Sequence, residues 1–212
     1  MTAWAFSFMF PFLLVTALLQ GVAARCGKDL RGRGPALACA LIAAAVVVIP
    51  VKELPLARWL ISFNANFSIP LTALLFSSVV KTSFGIRLLD STSLVTCWGF
   101  SLIAGVALYP MALGLGQWDP YSAGWGFSWL FVLMFFLTGI LLFMKNRFAV
   151  VLTAAILAYN FRLLESTNLW DYLVDPFLVV VSCIGLGWNL GVRFKTRGVR
   201  KAQGMRRGRS DA

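Results

Sequence analysis

Long runs of apolar residues, separated by short polar segments, dominate this chain. A helix needs about 20 apolar residues to cross a bilayer, and it satisfies all of its own backbone hydrogen bonds there. These runs are too long and too uniformly apolar for the strands of a membrane barrel. We therefore predict an all-α fold, a polytopic transmembrane bundle with seven spans near residues 3–24, 36–51, 60–80, 92–115, 127–144, 148–161 and 177–192.

The third run is the least regular of the seven. Asn64 and Asn66 interrupt its first half, and Pro55 precedes it. Residues 54–63 could instead form a short amphipathic helix that lies along the membrane interface. The same asparagines, with Ser68 and Pro70, could open a polar seam in the third span.

The composition supports the membrane interpretation. Hydrophobic residues make up 59% of the 212 residues, charged residues 13%, and the mean hydropathy is +0.81. A water-soluble globule of this size cannot hide so much apolar surface. A disordered chain is excluded as well, because 18 Phe and 8 Trp are present. We expect a multi-pass protein of the cell membrane, which is the inner membrane if the source is bacterial.

The cations alternate from loop to loop. Sixteen of the 19 Lys and Arg residues fall in the first, third and fifth loops and in the 193–212 tail. Cytoplasmic loops carry such an excess, so the N-terminus is predicted outside and the C-terminus inside. The tail, distinct from the 1–192 bundle, should be disordered without a partner. Its eight cations suit anionic lipids, and we expect no nucleic-acid partner.

Aromatic and acidic residues concentrate in the predicted outer loops. The fourth loop (116–126) and the sixth (165–176) each contain Trp, Asp, Tyr and an Asp-Pro step. An ordinary aromatic belt would occupy both faces of the membrane, so the one-sided distribution suggests a surface for a sugar, a cationic ligand or a protein. The candidate binding residues are Trp118, Asp119, Tyr121, Arg162, Glu165, Asn168, Trp170, Asp171, Tyr172 and Asp175.

Several of these residues also have plain structural uses. Asp175 followed by Pro176 is a typical start for the last helix. Asn168 three residues before Asp171 is typical of a capping box on a short surface helix. The spacing of Arg162 and Glu165 favours an ion pair on one helix face. In the alternative, Arg162 holds an anionic headgroup or orients Glu165 as an acid or base.

The middle of each span contains no Asp, Glu, Lys, Arg or His, and the chain contains no His at all. Ion-coupled transport, retinal chemistry and serine-type intramembrane proteolysis are therefore not expected, because the chain lacks a side chain that each of them requires. Metal and cofactor sites are not expected either, since Cys26, Cys39, Cys97 and Cys183 lie far apart in the sequence. No disulfide is predicted.

Three classes of function remain open. The scarcity of reactive side chains favours a non-catalytic subunit or scaffold that presents the outer loops to a membrane or envelope protein. The first alternative is a carrier or channel for a neutral small solute, which needs a polar path through the third span. The second is an interfacial enzyme acting on a lipid-linked substrate, with Asp119, Glu165, Asp171 and Asp175 as its candidate carboxylates.

Overall fold

A computed structural model describes residues 6, 8–115 and 119–210, and this part of the chain is mostly helical. The predicted all-α class is therefore confirmed. In chain order the helices are α1 Met9–Arg25, α2 Arg33–Val48, α3 Leu56–Phe63, α4 Ile69–Phe84, α5 Ser91–Ala112, α6 Trp129–Phe143, α7 Phe148–Asn160, α8 Leu169–Leu173 and α9 Pro176–Ser210. A 3-10 turn, Pro120–Gly124, lies between α5 and α6.

A small hairpin, which the sequence did not predict, joins α2 to α3. Its strands β1 (Pro50–Val51) and β2 (Leu54–Pro55) pair antiparallel. Lys52 and Glu53 between them have φ angles of 47° and 70°. Two left-handed residues make the tight turn that matches the twist of paired strands.

The third apolar run forms two helices instead of one continuous span over residues 60–80. In α3, Ala57 and Ile61 are buried while Phe63 is 77% exposed, so this helix is amphipathic, as the alternative interpretation of residues 54–63 required. The chain then breaks, and α4 begins where the Ser68 hydroxyl accepts a hydrogen bond from the Leu71 amide at 3.4 Å. Pro70 sits in the first turn of α4, where its missing N–H costs nothing.

Helix α7 forms the centre of the bundle. Phe148, Ala149, Leu152 and Ala155 along it are all fully buried. Small side chains at this spacing let neighbouring helices approach closely. Accordingly α7 packs against both α4 and α6, while α1 packs on α2 and α4, and α5 packs on α9.

By length and composition, two helical stretches in the described part could cross a membrane, Ser91–Met111 and Leu169–Val192. Five further apolar helices of 10–17 residues, α1, α2, α4, α6 and α7, overlap the predicted spans, although α4 begins nine residues later than the predicted third span. Helix α9 continues to Ser210, so the backbone of the basic segment is helical up to that residue. Disorder of the tail without a partner stays a prediction.

Apart from the hairpin between α2 and α3, the turns between helices gather in two groups. The first, which we call the basic end, comprises residues 26–33, 85–90 and 144–147. Here the Gly32 amide donates to the Ser83 carbonyl at 2.9 Å, and the Arg147 guanidinium donates to the Arg87 carbonyl at 2.8 Å. The second, the loop cap, comprises residues 64–68, 119–128 and 162–175. Its segments are joined by the Ser166 amide, which donates to Asn66 Oδ1 at 3.2 Å.

Candidate functional site

Asn168 is the residue that holds the fourth and sixth loops together. Its side chain is fully buried, and its Nδ2 donates to the Tyr121 carbonyl at 3.0 Å. Its Oδ1 accepts from the Trp170 amide at 2.9 Å, which starts α8. The predicted helix start at Asn168 is thus confirmed, although α8 is largely buried instead of lying on the surface.

The 3-10 turn approaches Asn168 very closely at Gly124. A Cβ atom on Gly124 would lie 1.7 Å from Asn168 Oδ1. Next to it, Trp125 forms an isolated antiparallel bridge with Asn168. Only glycine fits at position 124, because any side chain would displace the amide that joins the two loops.

Trp170 and Tyr172 also serve the interior of the loop cap. Trp170 is 6% exposed, and its indole N–H donates to the Pro120 carbonyl at 2.9 Å. Tyr172 is fully buried, and its hydroxyl donates to the Ser166 carbonyl at 3.0 Å while accepting from the Leu164 amide at 3.2 Å. Neither side chain offers the open surface that a partner would need.

Asp175 caps the last helix, as predicted. Its Oδ1 accepts from the amides of Phe177 and Leu178 at 2.8 and 3.0 Å. Its Oδ2 accepts from the Ser68 amide at 3.0 Å, which lies at the start of α4. One carboxylate, only 3% exposed, thereby supports the first turns of two helices that are 107 residues apart in sequence.

Tyr121 and Asp171 form the polar contact nearest to the surface of the loop cap. The Tyr121 hydroxyl donates to Asp171 Oδ2 at 2.9 Å, so Asp171 points to the fourth loop and does not complete a capping box with Asn168. Burial, and then this bond to the carboxylate, raise the pKa of Tyr121 above its usual range. Tyr121 therefore stays a hydrogen-bond donor at physiological pH.

Asp119, Glu165 and Arg162 are the exposed members of the candidate set. Asp119 Oδ1 accepts from the Tyr121 amide at 2.9 Å and starts the 3-10 turn. Arg162 and Glu165 do not share a helix face, as their predicted ion pair required, because the chain has left α7 before Arg162, whose φ angle is 50°. Trp118, the remaining candidate, lies outside the described residues.

A polar cavity of about 190 Å³ lies beside the loop cap. Its polar lining consists of Asn64, Asn66, Tyr109, Tyr121, Asp171 and Asp175. Two predicted candidate carboxylates thus border one cavity, whereas Asp119 and Glu165 do not line it. The sequence marked Asn64 and Asn66 as a polar seam, but it did not join them to Asp171 and Asp175.

The larger grooves are apolar. One of about 440 Å³ runs between α5 and α6, and its lining includes Phe100, Leu133 and Trp170. Another of about 520 Å³ lies between α6 and α7 and is lined by Phe131, Phe135 and Leu157 among others. Within the described part of the chain, no three Asp, Glu or Cys side chains are grouped so that they could hold a metal ion.

Comparison with known proteins finds no match to any family model, to any curated protein or to any solved structure. The site must therefore be judged on its own geometry.

Proposed function

We propose that this chain is a multi-pass membrane protein with seven spans, its loop cap outside the membrane and its basic end in the cytoplasm. The apolar side chains on the outside of the bundle support this proposal. Phe143 is 91% exposed, Leu113 79% and Trp188 77%. In water, such a surface would drive aggregation, whereas lipid chains solvate it.

The alternation of the helices gives the second support. Helices α4 to α7 run in turn between the loop cap and the basic end, so each of them joins one group of turns to the other. The shortest of the proposed spans, α7, has 13 residues, which is about 20 Å of helix, less than the hydrocarbon thickness of about 30 Å. Local thinning of the bilayer and the polar residues at the helix ends accommodate the difference at modest cost.

The function that we propose is that of a non-catalytic subunit or scaffold, which presents the loop cap to a protein partner in the membrane or cell envelope. One observation carries this proposal. The buried contacts of Asn168 and Trp170 anchor the described part of the fourth loop, residues 119–126, and Trp125 remains 55% exposed on it, with Asp119 also exposed. A surface that is already ordered loses little entropy when a partner binds.

Trp125 and Asp119 replace Trp170 and Tyr172 as the residues that a partner would contact. The two residues flank the 3-10 turn. Exposed tryptophans are typical of protein interfaces, where aromatic residues supply most of the binding energy. The basic tail keeps its proposed role of attracting anionic lipids in the cytoplasmic leaflet.

The two alternatives have unequal support. A carrier requires a polar path along the helices, and the large grooves described above are apolar. An interfacial enzyme finds some support in the cavity that Asp171 and Asp175 border. However, three backbone amides already occupy the oxygens of Asp175, which makes this residue a poor acid or base.

Site-specific photo-crosslinking in the native membrane tests the proposed partner surface. A benzophenone amino acid in place of Trp125 should yield one protein adduct of defined mass. The same probe in place of Trp188, which is exposed on α9, should yield lipid adducts alone. The Asp119→Lys change should weaken the adduct formed at position 125. Lipid adducts at both positions, with no protein, would contradict the scaffold role.

A further inference from the structure

The polar cavity beside the loop cap has a chemistry that the proposed partner surface does not use. Its lining contains two carboxylates and no Lys or Arg. It also contains the aromatic rings of Tyr109, Tyr121 and Trp170. Part of the lining is formed by half-buried side chains, those of Tyr109, Tyr121 and Asp171. The cavity therefore opens to the protein surface.

The hydrogen bonds of the lining leave one carboxylate oxygen without a partner among the described residues. Both oxygens of Asp175 accept backbone amides, so this residue contributes mainly negative charge to the cavity. Asp171, by contrast, uses only Oδ2 for a bond within the described part of the chain. The Asn64 side-chain nitrogen is buried there without a hydrogen-bond partner among the described residues. This nitrogen is a donor and needs an acceptor, which the hydroxyl oxygen of an amino alcohol such as choline can supply.

We propose that this cavity binds the alkylammonium group of a small molecule or of a lipid headgroup. Two carboxylates within a partly desolvated cavity attract a cation electrostatically, and aromatic rings attract it through their negative faces. A volume of about 190 Å³ corresponds to about six water molecules in the liquid, which suffices for a choline-sized group. This site does not depend on the partner surface around Trp125.

Carboxylates argue against anionic ligands, since no cation in the lining would offset their charge. Neutral sugars could use the same acceptor and amide, but they would not gain from the charge of Asp175. The decisive property is therefore the positive charge of the ligand, and the test compares two ligands of one shape.

The experiment measures equilibrium binding of radiolabelled choline to the full-length protein in phosphatidylglycerol nanodiscs. We expect saturable binding at one site per protein. The compound 3,3-dimethylbutan-1-ol, which has the shape of choline without its charge, should not compete. The same measurement in phosphatidylcholine nanodiscs distinguishes the sources. Choline binding lost there identifies a lipid headgroup as the occupant, and choline binding retained there identifies a free solute.

Two variants locate the site independently. Asp171→Asn keeps an oxygen to accept from Tyr121 but removes the charge, and we expect choline affinity to fall by about tenfold or more. Tyr109→Leu removes a ring from the lining and should also weaken binding. Glu165→Gln removes one charge from the same end of the protein, outside the cavity, and should leave affinity unchanged.

Three results would overturn the proposal. They are the absence of saturable choline binding in phosphatidylglycerol nanodiscs, equal competition by the uncharged analogue, and equal loss in Glu165→Gln and Asp171→Asn. The thermal stability of each variant is measured alongside, and a variant that melts much earlier than the parent is replaced by Tyr109→Leu as the deciding case. Failure of this test leaves the crosslinking result at Trp125 unaffected.

Discussion

The loop cap and the basic end use their most distinctive residues in opposite ways. In the loop cap, the amide, aromatic and acidic side chains of Asn168, Trp170 and Asp175 are buried and join the segments. At the basic end, the cations stay exposed, and neutral side chains beneath them make buried contacts, as where Gln20 Nε2 donates to Ser83 Oγ at 2.8 Å. The distinctive residues of the loop cap therefore stabilise its structure, whereas those of the basic end place positive charge on the surface.

This comparison predicts that substitutions in the loop cap cost the most stability. Gly124→Ala is expected to lower the free energy of unfolding by about 3 kcal/mol, because the new methyl group collides with the buried amide of Asn168. Reversible unfolding in mixed micelles measures the change. Gly139→Ala is the matched control, since a Cβ atom there meets nothing within 4 Å, and it should cost nothing. Equal stability of the two variants would contradict the tight contact.

The double cap at Asp175 should come next in size. Asp175→Ala leaves the amides of Ser68, Phe177 and Leu178 without their acceptor, and we expect a loss of about 2 kcal/mol. Asp119→Ala removes a cap from an exposed 3-10 turn and should cost less than about 1 kcal/mol. The same mixed-micelle measurement compares the two variants. A larger loss for Asp119→Ala would contradict the stronger capping role of Asp175.

The basic end should tolerate the loss of its best-connected cation. Arg147→Ala removes exposed side-chain hydrogen bonds to the carbonyls of Arg87 and Leu88. Because water replaces these bonds, we expect a change below about 1 kcal/mol in unfolding free energy. A loss as large as that of Asp175→Ala would show that the two ends are held alike.

The smallest expected effects depend on pH and act in opposite directions at the two ends. The hydrogen bond from Ser93 lowers the pKa of Asp90, so its contribution is present above the ordinary value of 3.8 and is lost as the pH falls through the folded pKa. Tyr121 has a raised pKa, so its contribution is present below about 10 and is lost as the pH rises through the folded pKa.

Melting temperatures of two variants check these contributions. Asp90→Asn should flatten the acid side of the stability profile, and Tyr121→Phe should flatten the alkaline side, each without altering the other. If Asp90→Asn altered the alkaline side and Tyr121→Phe the acid side, other groups would control the pH dependence of stability.

The sequence predicted the helical class and the positions of most apolar helices, because hydrophobic runs depend on local composition. It also predicted the caps at Asn168 and Asp175, since capping depends on residues two or three positions apart. It could not decide that residues 60–80 form two helices, because the break at Asn64 becomes clear only where the loop cap contacts the chain.

The burial of Trp170 and Tyr172 was equally out of reach of sequence reasoning. Both residues have the amphipathic character of an interface residue, and only the approach of Pro120 and Ser166 shows that their polar groups are used internally. The cavity, too, depends on four separate segments that meet in space. Of its lining, the sequence selected Tyr121, Trp170, Asp171 and Asp175 but could not relate them to Asn64 or Tyr109.

The central claim is that the loop cap and the basic end lie on opposite sides of a membrane, and cysteine labelling tests it most directly. One variant keeps the native Cys26, which is exposed at the basic end, with the other cysteines replaced by Ser. A second carries Trp125→Cys in a cysteine-free background. We predict that a membrane-impermeant maleimide labels position 125 in intact cells and reaches Cys26 only after permeabilisation. Labelling of both positions from the same side would contradict the account.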